Sequence, residues 1–313
     1  MSYYKKALDV LNWVVKQWPN NTKLILSIIN SVNDNQMLCK KWLVTELKDV
    51  LDCSEVPKNP KILVMAGWYG LVGDMCRTKL KAEVVHHNNF IGGRFSVLSE
   101  VGMLPAELMG FNPKKFKQLN NLIKNQNFIN SLLINVSNTL FFLKKKKFNS
   151  IILNYDASSN NLFKWYQQLI AESLGKKGKG ILPSVSTMPK DNHSLMQLYL
   201  DGPKNNFFTF FHVKEKNSSK IINDKILPTH NYLKNKDLNQ IIYAQKLATE
   251  NIFLKKRIPF RSFEVNVREE KTLGELFSFF ILETILLARA MKLDPYNQPS
   301  VELIKKETKK ILI

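Results

Sequence analysis

Four short apolar runs of strand character, separated by longer stretches with helical periodicity, constrain this chain more than any other feature. The runs are SIILNYD (150–156), ILPSVS (181–186), NNFFTFFHV (205–213) and RSFEVNV (261–267). Segments 158–175, 237–256, 273–293 and 297–313 place apolar residues at helical spacing. A strand apolar on both faces needs a covering layer on each side, and intervening helices supply both layers. The pattern therefore predicts an α/β fold: a three-layer, doubly wound, mostly parallel sheet. Upstream, 113 to about 147 is predicted helical, with periodicity in FINSLLINVSNTLFFL. The stretch RFSVLS is predicted β-like, with a turn at Pro105. Residues 1–56 are predicted helical, LILSI included, with apolar residues at helical spacing in LDVLNWVV and WLVTELKDVL, and Pro57 and Pro60 break the pattern.

The formal charge of +20 raises the question of a polyanionic partner. Only six of the 46 basic residues are Arg, and the lysines are scattered along the chain. The one dense run, 144–147, follows an apolar helical pattern and reads as a solvated helix end favoured by the macrodipole. No nucleic-acid partner is expected, whereas a small anionic substrate suits the field. Three cysteines, Cys39, Cys53 and Cys76, lack CxxC spacing and are odd in number, so neither a zinc site nor a disulfide framework is expected. The start MSYYKKALDVLNW lacks the apolar core of a signal peptide, and the richest apolar stretch, 276–291, contains Glu283 and Arg289. A cytoplasmic chain without a membrane partner is expected.

KILVMAGWYGLVGDM (61–75) predicts a buried strand entering a glycine turn and a helix. Its GxxGxxG spacing is not the dinucleotide fingerprint GxGxxG. The AGWYG turn faintly resembles the first motif of class I S-adenosylmethionine-dependent methyltransferases, and a tight turn joining a core strand to a helix is the simpler reading.

Ionisable groups beside glycine-rich or polar loops recur at four places: Arg94 after Gly92-Gly93, Glu172 before Gly175, His193 within DNHS, and Lys305 in the last helical segment. Singly, each has a plain structural explanation: a core ion pair, a helix end, a satisfied loop histidine, a solvated face. A glutamate and a histidine flanking one buried strand, as Glu172 and His193 do, could also form an acid/base pair.

Together, GGRFSVLSEVGMLP, WYQQLIAESLGKKGKG, DNHSLMQLYLDGP and NQPSVELIKK resemble glucose-6-phosphate isomerase, in order and over about 85–313. The resemblance implies a sugar-isomerase (SIS) domain, with Arg94, Glu172, His193 and Lys305 as catalytic groups and Gly93 and Gln298 near the substrate. It further implies a sugar-phosphate substrate, no metal or organic cofactor, and a homodimer in which the histidine crosses the interface. Pro299-Ser300 and Ile304 depart from the family's last motif. The family's first SIS domain, with its GIGGS and SKTxTxE phosphate loops, is not legible in 1–84, where a distinct helical N-terminal segment is expected. Three explanations stand: a fusion joined between about 75 and 90, an incomplete gene, or a diverged isomerase whose phosphate site uses Lys176, Lys177 and Lys179. A non-catalytic sugar-phosphate-binding remnant and a methyltransferase-like N-terminal fusion are the alternative functions.

Overall fold

The computed structural model describes residues 24–28, 61–67, 83–88, 91–214, 218–222 and 226–312. The chain divides into two compact units, 1–114 with 298–313, and 115–297.

In the first unit, β1 (Leu24–Ile28), β2 (Lys61–Gly67) and β3 (Glu83–His87) form a parallel sheet in that order. β2 matches the predicted strand. β1 corrects the helical expectation at LILSI, because a five-residue apolar run has no period that separates a buried strand from a helix. The other predicted helices of 1–56, the three cysteines and the AGWYG turn beyond Gly67 lie outside the described residues. After β3 comes a 3-10 turn, Gly93–Leu98, and helix α1, Glu100–Leu108. RFSVLS is therefore helical rather than β-like. The expected turn at Pro105 is a position within α1, and the Met109 N–H continues the helix by bonding the Pro105 carbonyl at 3.0 Å.

The second unit carries a four-stranded, wholly parallel sheet in the order β5-β4-β6-β7. Its strands are β4 (Asn149–Asn154), β5 (Leu182–Thr187), β6 (Asn206–Val213) and β7 (Phe260–Val265). From β4 the chain steps to one side, then crosses back and builds on the other, as a doubly wound sheet does. The predicted helical region from 113 is broken into α2 (Pro113–Phe116), α3 (Leu119–Leu122) and α4 (Gln126–Lys144). The last break is an N-cap: the Asn125 side chain accepts the N–H groups of Asn127 and Phe128 at 3.0 and 3.2 Å. The remaining helices are α5 (Asn160–Leu174), α6 (Asp191–Ser194), α7 (Met196–Asp201), α8 (Leu238–Lys255) and α9 (Glu270–Ala290). The first unit ends with α10 (Pro299–Leu312).

The layers follow from alternation along β6. Phe208 and Phe210 point to one face, where they meet Phe253 of α8 at ring separations of 4.9 and 5.3 Å. Phe207 and Phe211 point to the other, against Phe142 of α4 (5.4 Å) and Phe163 of α5 (4.8 Å). Burying one such ring contributes about 1.5–3 kcal/mol, so this strand anchors both layers.

Two ion pairs, each with one fully buried member, tie helices to β7. Arg261 donates to both carboxylate oxygens of Glu283 on α9, to Thr209 Oγ1 at 3.0 Å and to Asn135 Oδ1 at 3.2 Å. Burial, with the Glu283 charge beside it, pushes the neighbouring Tyr166 phenol up to about 12. Lys246 of α8 is fully buried, its ammonium 2.6 Å from Glu264 and 3.0 Å from Glu250. Burial alone would lower the Lys246 pKa, yet the two carboxylates outweigh it and raise it. The hydrogen bond from Lys246 in turn holds the Glu264 carboxyl below its ordinary 4.5.

Lys246→Met should therefore destabilise the fold by about 3 kcal/mol, since it leaves Glu250, whose side chain is only 12% exposed, without its cation. The sign for Glu264 follows from its depressed pKa. Its contribution is complete above about 4.5 and fades as pH falls through the lower folded value. Urea titrations at pH 7 and below 4 should show a smaller acid-induced loss in Lys246→Met than in the wild type. An equal loss in both proteins sinks the pairing.

Candidate functional site

In the first unit, β3 leads to the Gly92-Gly93-Arg94 turn. Phe95 N–H donates to the Gly92 carbonyl at 2.9 Å and Ser96 Oγ to the Gly93 carbonyl at 2.8 Å, which closes the turn on itself. Gly92 has φ −66°, and an added Cβ there would meet open space, so the glycine is not demanded by the backbone angle. Arg94 is 3% exposed. Its Nη1 donates to Gln298 Oε1 at 2.5 Å, joining motifs 204 residues apart in sequence. Gln298 immediately precedes α10, and Lys305, half-buried, lies on that helix.

His87, which the motif reading passed over, closes β3. It is 6% exposed, with Nε2 3.1 Å from the Ile91 carbonyl and Nδ1 3.4 Å from Ser99 Oγ and 3.5 Å from Glu100 Oε2. The available signal was a histidine doublet, His86-His87, shortly before GGR.

In the second unit, Glu172 stands on the last turn of α5, half-buried, and accepts from Gln168 Nε2 at 3.0 Å. The glycine turn that follows needs its glycines at two places. Gly178 and Gly180 have φ of +68° and +147°, and a Cβ on Gly180 would lie 3.0 Å from Gly175 Cα. Lys176 donates to the Asp294 carbonyl, and Lys179 to the Met291 carbonyl at 2.8 Å. Both ammonium groups thus serve carbonyls at the end of α9, where cations are favoured. Lys177, between them, is exposed.

His193 lies on α6, beyond the other end of β5. Asp191 fixes the approach by accepting the Thr187 N–H at 2.8 Å and the Ser194 hydroxyl at 3.1 Å. The His193 ring is exposed and has no hydrogen-bond partner among the described residues. Glu172 precedes β5 and His193 follows it, so a strand about 20 Å long separates them. The two do flank one strand, as expected, and stand at its opposite ends. The structure brings Arg94 and Gln298 together and holds Glu172 and His193 apart.

No protein-family model matches the chain. The curated glucose-6-phosphate isomerase of Mycoplasmopsis pulmonis is 37% identical over 250 residues, which cover 78% of this chain and 58% of that protein. That of Methanocaldococcus jannaschii is 30% identical over 96% of this chain and 74% of its own length. For that of Mycoplasmoides gallisepticum the figures are 30%, 98% and 80%. The last two matches run into the first 84 residues. The match to the Mycoplasmopsis protein spans little more than half of that relative's length. Among solved structures, a hypothetical protein from Thermus thermophilus superposes with a TM-score of 0.80 at 20% identity, covering 97% of this chain and 75% of that one. A glucose-6-phosphate isomerase from Chlamydia trachomatis gives 0.73 at 16%, covering 99% and 62%. Those two likenesses show the same fold, and the two long matches at 30% identity show the descent: the chain belongs to the glucose-6-phosphate isomerase family.

Proposed function

We propose that this chain interconverts glucose 6-phosphate and fructose 6-phosphate in the cytoplasm, as a homodimer. The observation that carries the reading is the buried Arg94 held on Gln298, because it joins the first and last of the family-like motifs through one charge-assisted hydrogen bond. His193 and Lys305 move a proton from the anomeric hydroxyl to the ring oxygen, which opens the sugar. Glu172 then takes the C2 proton; the C2–H electron pair forms the C1–C2 double bond and the carbonyl electrons move to O1. Arg94 stabilises the resulting enediolate. Return of the proton from Glu172 to C1, with the hydroxyl proton passing from O2 to O1, leaves a carbonyl at C2. The separation of Glu172 and His193 along β5 supports a histidine that serves the partner subunit's site.

Incubation with fructose 6-phosphate, with glucose 6-phosphate followed by a coupled dehydrogenase, tests the activity. Without legible phosphate loops, a high KM is expected, since remote phosphate binding helps to position the reacting carbons. Mixing Glu172→Gln and His193→Gln subunits tests the shared site: random reassociation should restore about a quarter of the wild-type rate. Two inactive variants that stay inactive after mixing contradict it.

The same lack of legible loops favours a second reading, a sugar-phosphate-binding protein without turnover. Thermal stabilisation by 6-phosphogluconate in the absence of isomerisation selects it.

A further inference from the structure

We propose that His87 is a positioning residue for Arg94. The Ile91 carbonyl can only accept, so His87 Nε2, 3.1 Å away, is the nitrogen that carries a proton and donates. The Ile91 N–H is itself held by the Asn88 carbonyl at 3.1 Å, which makes Ile91 a fixed point just before the glycine pair. On its other side the imidazole faces Ser99 Oγ and Glu100. Ser99 Oγ donates to the Ser96 carbonyl at 2.8 Å, and Ser96 Oγ donates to Gly93. One buried ring therefore bonds the end of β3 to the residue before the turn and lies against the first turn of α1. Arg94 lies inside that loop of contacts.

The glycine pair explains why such a brace is needed. Two successive glycines have the largest conformational freedom to lose, and neither has a side chain that packing could lock. A cation that stabilises a transition state must be held to within about 0.5 Å of its working place. The His87–Ile91 bond restrains the backbone just before the turn, and Gln298 holds the Arg94 side chain just after it. A merely satisfied core histidine would matter equally for any property of the fold; a brace matters through Arg94.

The test rests on a pair of amides that differ in reach. His87→Gln can place its side-chain N–H near the Nε2 position and keep the bond to Ile91, whereas His87→Asn cannot. Crystal structures should show Arg94 on Gln298 in the Gln variant and displaced in the Asn variant. The kinetic readout rests on the proposed isomerase function. There, His87→Asn should lower kcat about tenfold or more with KM changed less than about threefold, and His87→Gln should recover most of the loss. In an Arg94→Lys background, His87→Asn should have little further effect on kcat.

Arg94 still bound to Gln298 in His87→Asn, or an equal kcat loss in both backgrounds, overturns the proposal. If the wild type turns over no fructose 6-phosphate, it is the isomerase reading that fails, and the crystal structures decide the role of His87 alone. Should the Asn variant not fold, the Gln variant decides: an amide in place on Ile91 with Arg94 off Gln298 overturns the proposal, and Arg94 in place supports it.

Discussion

Glu172→Gln should lower the turnover of fructose 6-phosphate by about 100- to 10,000-fold, with little change in stability. The carboxylate is asked to perform both halves of the proton transfer, from C2 and to C1, and an amide can do neither. The substitution is close to isosteric, and the amide keeps an oxygen that can accept from Gln168 as the Glu172 carboxylate does now at 3.0 Å. Glu172 is half-buried on the last turn of α5, so a near-isosteric amide leaves the packing there unchanged. Urea titration of the variant should overlay that of the wild type while the coupled assay shows the loss. A rate within a factor of about two of the wild type would remove Glu172 from the mechanism.

The largest effect on stability is expected at Glu283. It is 1% exposed and receives a forked pair of hydrogen bonds from Arg261. Glu283→Ala should cost about 3–5 kcal/mol, because the Arg261 guanidinium is left in the helix–sheet interface without its counter-charge. Thr209 and Asn135 would still accept from Arg261, but neither carries charge. Replacing both members by leucine should cost far less than the single change, since desolvating two charges offsets much of what their attraction returns. Chemical denaturation of the two proteins checks the pair. A double variant as unstable as Glu283→Ala would show that the interface needs the shape of the arginine rather than the pairing of charge.

Much of the second unit was legible because local composition and burial agree there. NFFTFFHV alternates aromatic residues between two covered faces, SIILN is a continuous buried run and ILPSVS is a short apolar run at the sheet edge, so β4, β5 and β6 fall within a residue or so of the predicted spans. The start of α8 was equally plain: Asp237 caps the Gln240 N–H while the Gln240 side chain accepts the Asp237 N–H. Where local signals were weak or shared, the reading missed. LILSI fits a helix as well as a strand, and its pairing with β2 decided between them. RFSVLS has β-forming residues, yet the 3-10 turn is closed by serine hydroxyls that bond the chain around it. The break before α4 was readable from Asn125, a strong N-cap residue, and was obscured by the apolar periodicity that follows it.

By itself the sequence determined the alternation of strands and helices, the doubly wound class and the identity of the ionisable residues in the family-like motifs. These depend on side-chain periodicity and residue type, which a linear chain carries within short windows. Only the tertiary structure decided which of those residues meet. Arg94 and Gln298 are joined although 204 residues separate them, whereas Glu172 and His193, 21 positions apart, are held at opposite ends of β5. A strand is stiff and extended, so short sequence separation there means distance; the return of the chain to its first unit at α10 turns long separation into contact. His87 belongs to the same class. Its meaning comes from a carbonyl, a hydroxyl and a carboxylate that surround it only once β3, the glycine turn and α1 are in place.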